Sequence, residues 1–341
     1  MRGRAATLAT FCFMLVAGAE TRCRPVVAAP QAVAAALHLS PLADLVPAAG
    51  LRWIADVRPK ELLRDPALIP AVAAAVPEAE LDGMARAWGG IDLRAVDALV
   101  IGGFDAATLF LAQEPLDPAR VEVAFGARVA DVEGRAIDEP RTAGASSPPL
   151  VRVWGSVGTR HETLVLFGRD AAGLAVGSDV PLRAAELFAL QRMKRARPAW
   201  QAPPLDRMAS LLGEAPIRAA APGPFGGPWA AGLGGLLAST TAAGVAIRPD
   251  GEALRVTLIL MGGWGERSGE ARGRLERRYD SLAKSGLGRL TGLDRPVVPP
   301  RVVDLPDALE LEVSVRAAPL LRGLRDATSA EVEAIMRRPD E

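Results

Sequence analysis

The stretch 254–269 reads LRVTLILMGGWGERSG. An alternating run rich in β-branched residues ends in Gly262, Gly263 and Gly265, and an Arg/Glu-rich helical pattern follows. Strand, glycine turn and helix make the layout of a phosphate-binding loop. The details argue against one. The dinucleotide fingerprint needs its third glycine at Ser268, whereas the chain has Gly263, Gly265 and Gly269. A Walker loop needs a lysine that is missing here. Glu266 and Glu270 fall in the first helical turn, where they satisfy the helix dipole and repel phosphate. Gly263, Gly265 and Gly269 are the candidate cofactor contacts, and the reading expects a structural turn and no cofactor.

The same stretch is more informative as a marker of layout. LFLAQEPLDPARVEVAFG (109–126) is also a strand, a small polar turn and an amphipathic helix, with Asp117 as N-cap and Pro118 at the first helical position. Strands are expected at 51–57, 95–103, 107–113, 150–158, 162–168 and 173–178, then at 239–248 and 253–262 around the turn Pro249-Asp250-Gly251. Two more are expected near 300–304 and 308–315. Helices are expected after Pro59, over 78–90, after Asp117 and Asp179, near Leu205, over 266–284 and at the C-terminal end. The fold class is α+β: two diverged halves, each a mainly antiparallel sheet covered by helices on one face. The expected organisation is a signal peptide at 1–19, an Ala/Pro-rich lead-in at 20–50, a first half at 51–200 and a second at 201–341.

Half of the 341 residues are hydrophobic and 23% are charged, enough apolar material for a sizeable core. Forty basic residues balance forty acidic ones, so no electrostatic argument for nucleic acid arises. Only Lys60, Lys194 and Lys284 are lysines, an arginine excess that fits high-GC codon usage and weakens any single arginine as a sign of phosphate recognition.

The first residues point to export. A basic start, MRGR, precedes the uncharged run AATLATFCFMLVA at 5–17, and Ala17-Gly18-Ala19 fits small-x-small cleavage after Ala19. The run is short for a bilayer span of about 20 residues. Cys12 would be removed, leaving Cys23 as the one mature thiol, without a disulfide or a cysteine metal cluster. Glu20-Thr21-Arg22 is no lipobox, yet Cys23 is the candidate lipid attachment site.

Catalytic candidates are few. His161 sits in a turn between two strands, with Ser156, Glu162 and Asp170 as conceivable partners. HETLV lacks the second histidine of a zinc motif, and no metal site is expected. Glu310 and Glu312 have strand spacing and share one face, which reads as a solvated pair. The 29 uncharged positions 219–247 are broken by Pro222, Pro224 and Pro228, and read as a small-residue helix followed by a buried strand.

The export signal, LAQEPLDPARVE, LILMGGWGE and the Ala/Arg/Pro bias resemble predicted exported or lipoprotein-like proteins of unknown function from high-GC bacteria. That resemblance implies no catalytic residues. The resulting expectation is an exported cell-envelope protein, periplasmic or envelope-associated. It acts as a non-catalytic binding, assembly or scaffold module, on an unknown protein or a small apolar ligand, with peripheral membrane association and no nucleic acid. The alternative is an exported hydrolase using a carboxylate and His161 in a cleft between the halves. An apolar groove lined by Trp and Leu would favour binding, and a closed cleft gathering His161 with an acid would favour the enzyme.

Overall fold

A computed structural model describes residues 37–129, 132–138, 150–193 and 195–329. Its strands are β1 (Leu51–Val57), β2 (Ala98–Phe104), β3 (Ala107–Gln113), β4 (Val132–Asp138), β5 (Leu150–Val157), β6 (Arg160–Phe167) and β7 (Ala171–Gly177) in the first half. The second half contributes β8 (Ile217–Pro222), β9 (Ala242–Asp250), β10 (Ala253–Met261), β11 (Val298–Leu305) and β12 (Ala308–Arg316). The helices are α1 (Pro59–Leu63), α2 (Ile69–Ala75), α3 (Glu78–Ala87), α4 (Pro118–Arg128), α5 (Val180–Ala189) and α6 (Leu205–Leu212), followed by α7 (Gly232–Gly235), α8 (Ser268–Lys284), α9 (Gly286–Leu290) and α10 (Ala317–Ser329).

All twelve strands join one antiparallel sheet in the order β11-β12-β10-β9-β8-β1-β2-β3-β7-β6-β5-β4. The chain is thus α+β, but the halves share a sheet through the β1–β8 pairing, Ile54 opposite Ala220 to Val57 opposite Ile217. Both flanks are wound alike from that junction. A three-strand meander (β1-β2-β3 or β8-β9-β10) leads to a helix (α4 or α8). The chain then crosses to the outermost strand (β4 or β11) and returns inward to pair with the meander's third strand. The first half returns through three strands and the second through one.

Helices lie on both faces, which corrects the one-face expectation. On the first face, α5 and α6 bury Leu182, Ala185, Met208 and Leu212 against Ile54, Val100, Leu109, Phe167 and Ile259. Residues 39–46 join them, with Leu45 and Val46 wholly buried. The contact is close enough to require glycine: a Cβ at Gly244 would sit 2.5 Å from the Met208 sulfur. On the second face, α4 covers Val153, Leu164 and Leu174 through Val121 and Phe125. At the far end α8 covers Leu260, Leu309 and Leu311 through Leu275 and Tyr279. Strand alternation makes this possible, because consecutive apolar residues in Leu164–Phe167 of β6 and in β7 face one cover and then the other.

Local chemistry explains most boundaries. Asp117 accepts a hydrogen bond from the Ala119 amide and caps α4 ahead of Pro118. The helical stretch after Pro59 is interrupted at Pro66, which separates α1 from α2, while Pro70 sits in the first turn of α2, where no backbone donor is needed. Asp179 departs from its expected capping role: its carboxylate instead accepts from Arg183 at 2.6 Å. The small-residue helix expected within 219–247 is absent from the described chain. Its place is taken by short turns at Gly227–Ala231, Gly232–Gly235 and Leu236–Ser239, between β8 and β9. No helix among the described residues is long and apolar enough to cross a membrane.

Candidate functional site

Cross-strand registers build an apolar row across the second face. It runs Val153, Leu164, Leu174, Phe110, Ile101, Ala55, Ala219, Val245, Leu258 and Leu311, each directly opposite the next. The row is buried at both ends: Val153, Leu164 and Leu174 lie under α4, and Leu311 under α8. Between them Phe110, Ile101, Ala219, Val245 and Leu258 are only half-buried, while the small side chain of Ala55 at the centre is buried. Parallel rows repeat the pattern. Leu99, Ile217 and Ile247 are half-buried on one side, and Trp53, Ala221 and Ala243 on the other. Trp53, Leu99, Ile101, Ala221 and Val245 join none of the apolar clusters formed by the described residues.

The result is a shallow apolar trough floored by β2, β1, β8 and β9. Five strand spacings separate Phe110 on β3 from Leu258 on β10, about 24 Å at 4.8 Å each. Its sides are α4 and α8, and the packing of α2 against α10 over Ile247 and Leu254 closes one end. The floor carries no charged side chain among the residues named. Trp53 lies flat across β2, where a Cβ at position 103 would fall 2.1 Å from the indole nitrogen, so Gly103 makes room for it. Chemically, such a surface offers dispersion and desolvation to an apolar partner and few directional contacts.

The trough depends on the opposite face being sealed. Asp56, which points away from the trough, is salt-bridged to Arg218 across the β1–β8 pairing at 2.6 Å, with the guanidinium over the Trp200 ring. The two halves are therefore clamped together directly behind the trough floor.

The sequence-derived catalytic candidates do not converge. His161 lies on β6, four strands from β1 and away from the junction of the halves. Its neighbour Glu162 points to the opposite face, is 3% exposed and pairs with Arg128 at 2.9 Å. Arg128 in turn stacks on Trp88 at 4.5 Å. The Ser156 hydroxyl donates to Glu133, and His161 Nδ1 lies 3.8 Å from that same carboxylate. A relay requires histidine between serine and acid; here the acid holds the serine itself. Asp170 sits at the other end of β6, about 20 Å away by strand rise.

Gly262 is explained by packing, since a Cβ there would meet the Ser239 carbonyl at 2.6 Å. Gly263 and Gly269 have open space around their Cβ positions, and Gly265 adopts φ +51° in a single 3-10 turn. The Trp264 and Arg267 amides of this turn donate to carbonyls within it. No cluster of three or more metal-ligating side chains occurs among the described residues. Ala19 and Cys23 lie outside the described residues.

One group escaped the sequence reading. Glu114, at the end of β3, is 3% exposed, and burial raises its carboxyl to about pH 7. The Asp92 amide, donating to it at 3.1 Å, opposes the shift, while Asp92 and Asp97 add to it by charge. It borders a pocket of about 470 Å³ with His38, Asp97 and Asp170. The only signal in sequence was an acid ending an apolar strand just before Pro115.

No family model and no curated protein matches the chain. Among solved structures it is similar to TP0453: crystal form III at 12% identity and TM-score 0.49, covering 84% of this chain and 98% of that one. Crystal form I gives 12% identity and TM-score 0.48, with 85% and 98% covered.

Proposed function

We propose that this chain is an exported cell-envelope protein that acts as a non-catalytic binding module, with the trough over β2, β1, β8 and β9 as its binding surface. The observation that carries this reading is the cross-strand row itself, buried under helices at both ends and half-open in the middle. Apolar surface left half-open among the described residues suits a partner that is itself apolar, because covering it is favourable. The export pattern at 1–19 supports a location in the periplasm or on the envelope, where the ligand would be a small apolar molecule or the apolar face of another envelope protein. The like winding of the two flanks supports their origin as diverged copies of one α+β unit.

The test uses the mature chain and 1-N-phenylnaphthylamine, a probe whose fluorescence rises in apolar surroundings. Wild type should bind it saturably, and Val245→Glu should abolish the signal while leaving the melting temperature nearly unchanged, because the side chain is half-open. Equal fluorescence from wild type and V245E would overturn the reading. The mature N-terminus settles the export part separately: a start at Glu20 or a lipid on Cys23 supports it, and an intact Met1 in the cytosol refutes it.

A further inference from the structure

Arg274, Arg277, Arg278 and Ser281 follow each other at helical spacing on one flank of α8, adjoining its buried stripe of Ala271, Leu275 and Tyr279. Together with Gly234 they line a pocket of about 340 Å³. Gly234 belongs to the turn α7, where Leu233, Gly234 and Gly235 all have left-handed backbone, at φ +49°, +73° and +84°. Arg278 lies directly against that turn: a Cβ on Gly234 would be 2.7 Å from its Nε.

Charge at this pocket is unbalanced. Arg274 pairs with Glu270 at 2.5 Å, whereas Arg277 and Arg278 have no carboxylate partner among the described residues. Three guanidiniums against one carboxylate leave an excess of two positive charges. Glu276 is on the other flank of the helix and is taken by Arg272 at 2.9 Å. Arginines clustered at i, i+3 and i+4 on one flank of a helix repel one another, which a bound anion relieves. A phosphate group carries about 1.5 to 2 negative charges near pH 7 and accepts forked guanidinium bonds, so it matches both the charge and the donor geometry.

We propose that the pocket between α7 and α8 binds a phosphate group, held by Arg274, Arg277 and Arg278 with the Ser281 hydroxyl as a further donor. This site is separate from the apolar trough and does not depend on it. The phosphate could be carried by a soluble molecule or by an anionic lipid headgroup, and the two sources are separated by experiment.

The mature chain is titrated with inorganic phosphate by calorimetry, and in a second arm floated with phosphatidylcholine vesicles with and without phosphatidylglycerol. Arg277→Gln/Arg278→Gln is compared with Arg272→Gln/Arg301→Gln, which removes the same charge from exposed positions beside a different pocket. Saturable phosphate heat, weakened about tenfold or more in R277Q/R278Q and kept in the control, supports the site with a soluble source. Flotation that needs phosphatidylglycerol and is lost only in R277Q/R278Q supports it with a headgroup source. Binding in neither arm, or equal loss in both double variants, overturns it. Should R277Q/R278Q fail to fold, Arg278→Gln alone must show the same selective weakening, and its absence counts against the site. The trough variant V245E should leave both arms unchanged.

Discussion

Val100 and Ile101 are neighbours on β2 and face opposite sides of one sheet. Val100 is wholly buried beneath the layer formed by residues 39–46, α5 and α6, whereas Ile101 is half-open in the trough. The same holds for Ala246 and Val245 on β9. At the centre of this molecule one face is sealed by helices and the other is half-open among the described residues. The two ends of the sheet differ from the centre, since their second face is covered by α4 and α8.

The contrast can be broken most sharply by truncation. Ile54→Ala, on the sealed face of β1, removes a side chain that is fully buried and should cost about 3–4 kcal/mol in urea unfolding. Ile101→Ala, on the trough side of the next strand, should cost about 1 kcal/mol, because little contact is lost and no closed cavity forms. If the two cost the same, the trough is covered in solution and the comparison fails. Next in size is Arg218→Ala. It strands Asp56 behind the trough floor and removes the stack on Trp200, so a loss of about 2–3 kcal/mol is expected. Unfolding should remain a single transition if the β1–β8 junction couples the halves; two separated transitions would show that they fold apart.

That junction also marks where the sequence could and could not be read. In LRWIADV (51–57) alternation alone puts Trp53 and Ala55 on one side and Arg52 and Ile54 on the other, so the two sides of β1 are separable from sequence, though not which of them stays open. The strand–turn–helix units at 109–128 and 254–284 were legible because caps, prolines and glycines are local signals. β8 was not legible, because IRAAAP has neither β-branched density nor alternation, and its place comes from pairing with β1 and β9. Helices on both faces were equally hidden: an alternating strand shows one apolar side, whereas Leu164–Phe167 of β6 and the whole of β7 carry no polar side chain on either and read the same under either arrangement. The trough itself is a property of ten strands in register, which no single segment encodes. Glu114 stayed unnoticed because its burial comes from packing around the end of β3.

Glu114, buried at the end of β3, offers a test in terms of pH. Its carboxyl is raised from 4.5 to about 7 in the fold. Between these values the unfolded chain has lost the proton that the folded chain retains, so stability falls as pH rises through that window. Glu114→Gln keeps an acceptor for the Asp92 amide and removes the ionisation. The variant should therefore be about 1–3 kcal/mol more stable than wild type at pH 8, with the advantage gone below pH 4.5. A difference independent of pH would mean that the carboxyl is well solvated.

The smallest effect concerns the turn that carries the chain from β10 to α8, one side of the trough. Gly265 has left-handed backbone with free space around its Cβ position, so Gly265→Ala meets no clash and bears only the conformational cost of a side chain there, about 1 kcal/mol. Gly263 lies outside the left-handed region with equally open surroundings, and Gly263→Ala should be neutral. Neither should alter phosphate heat or probe fluorescence if this turn merely sets the direction of α8. A loss of phosphate binding in G265A with stability intact would move the anion site from the α7–α8 pocket to the head of the helix, and would make the trough and the anion site share a wall.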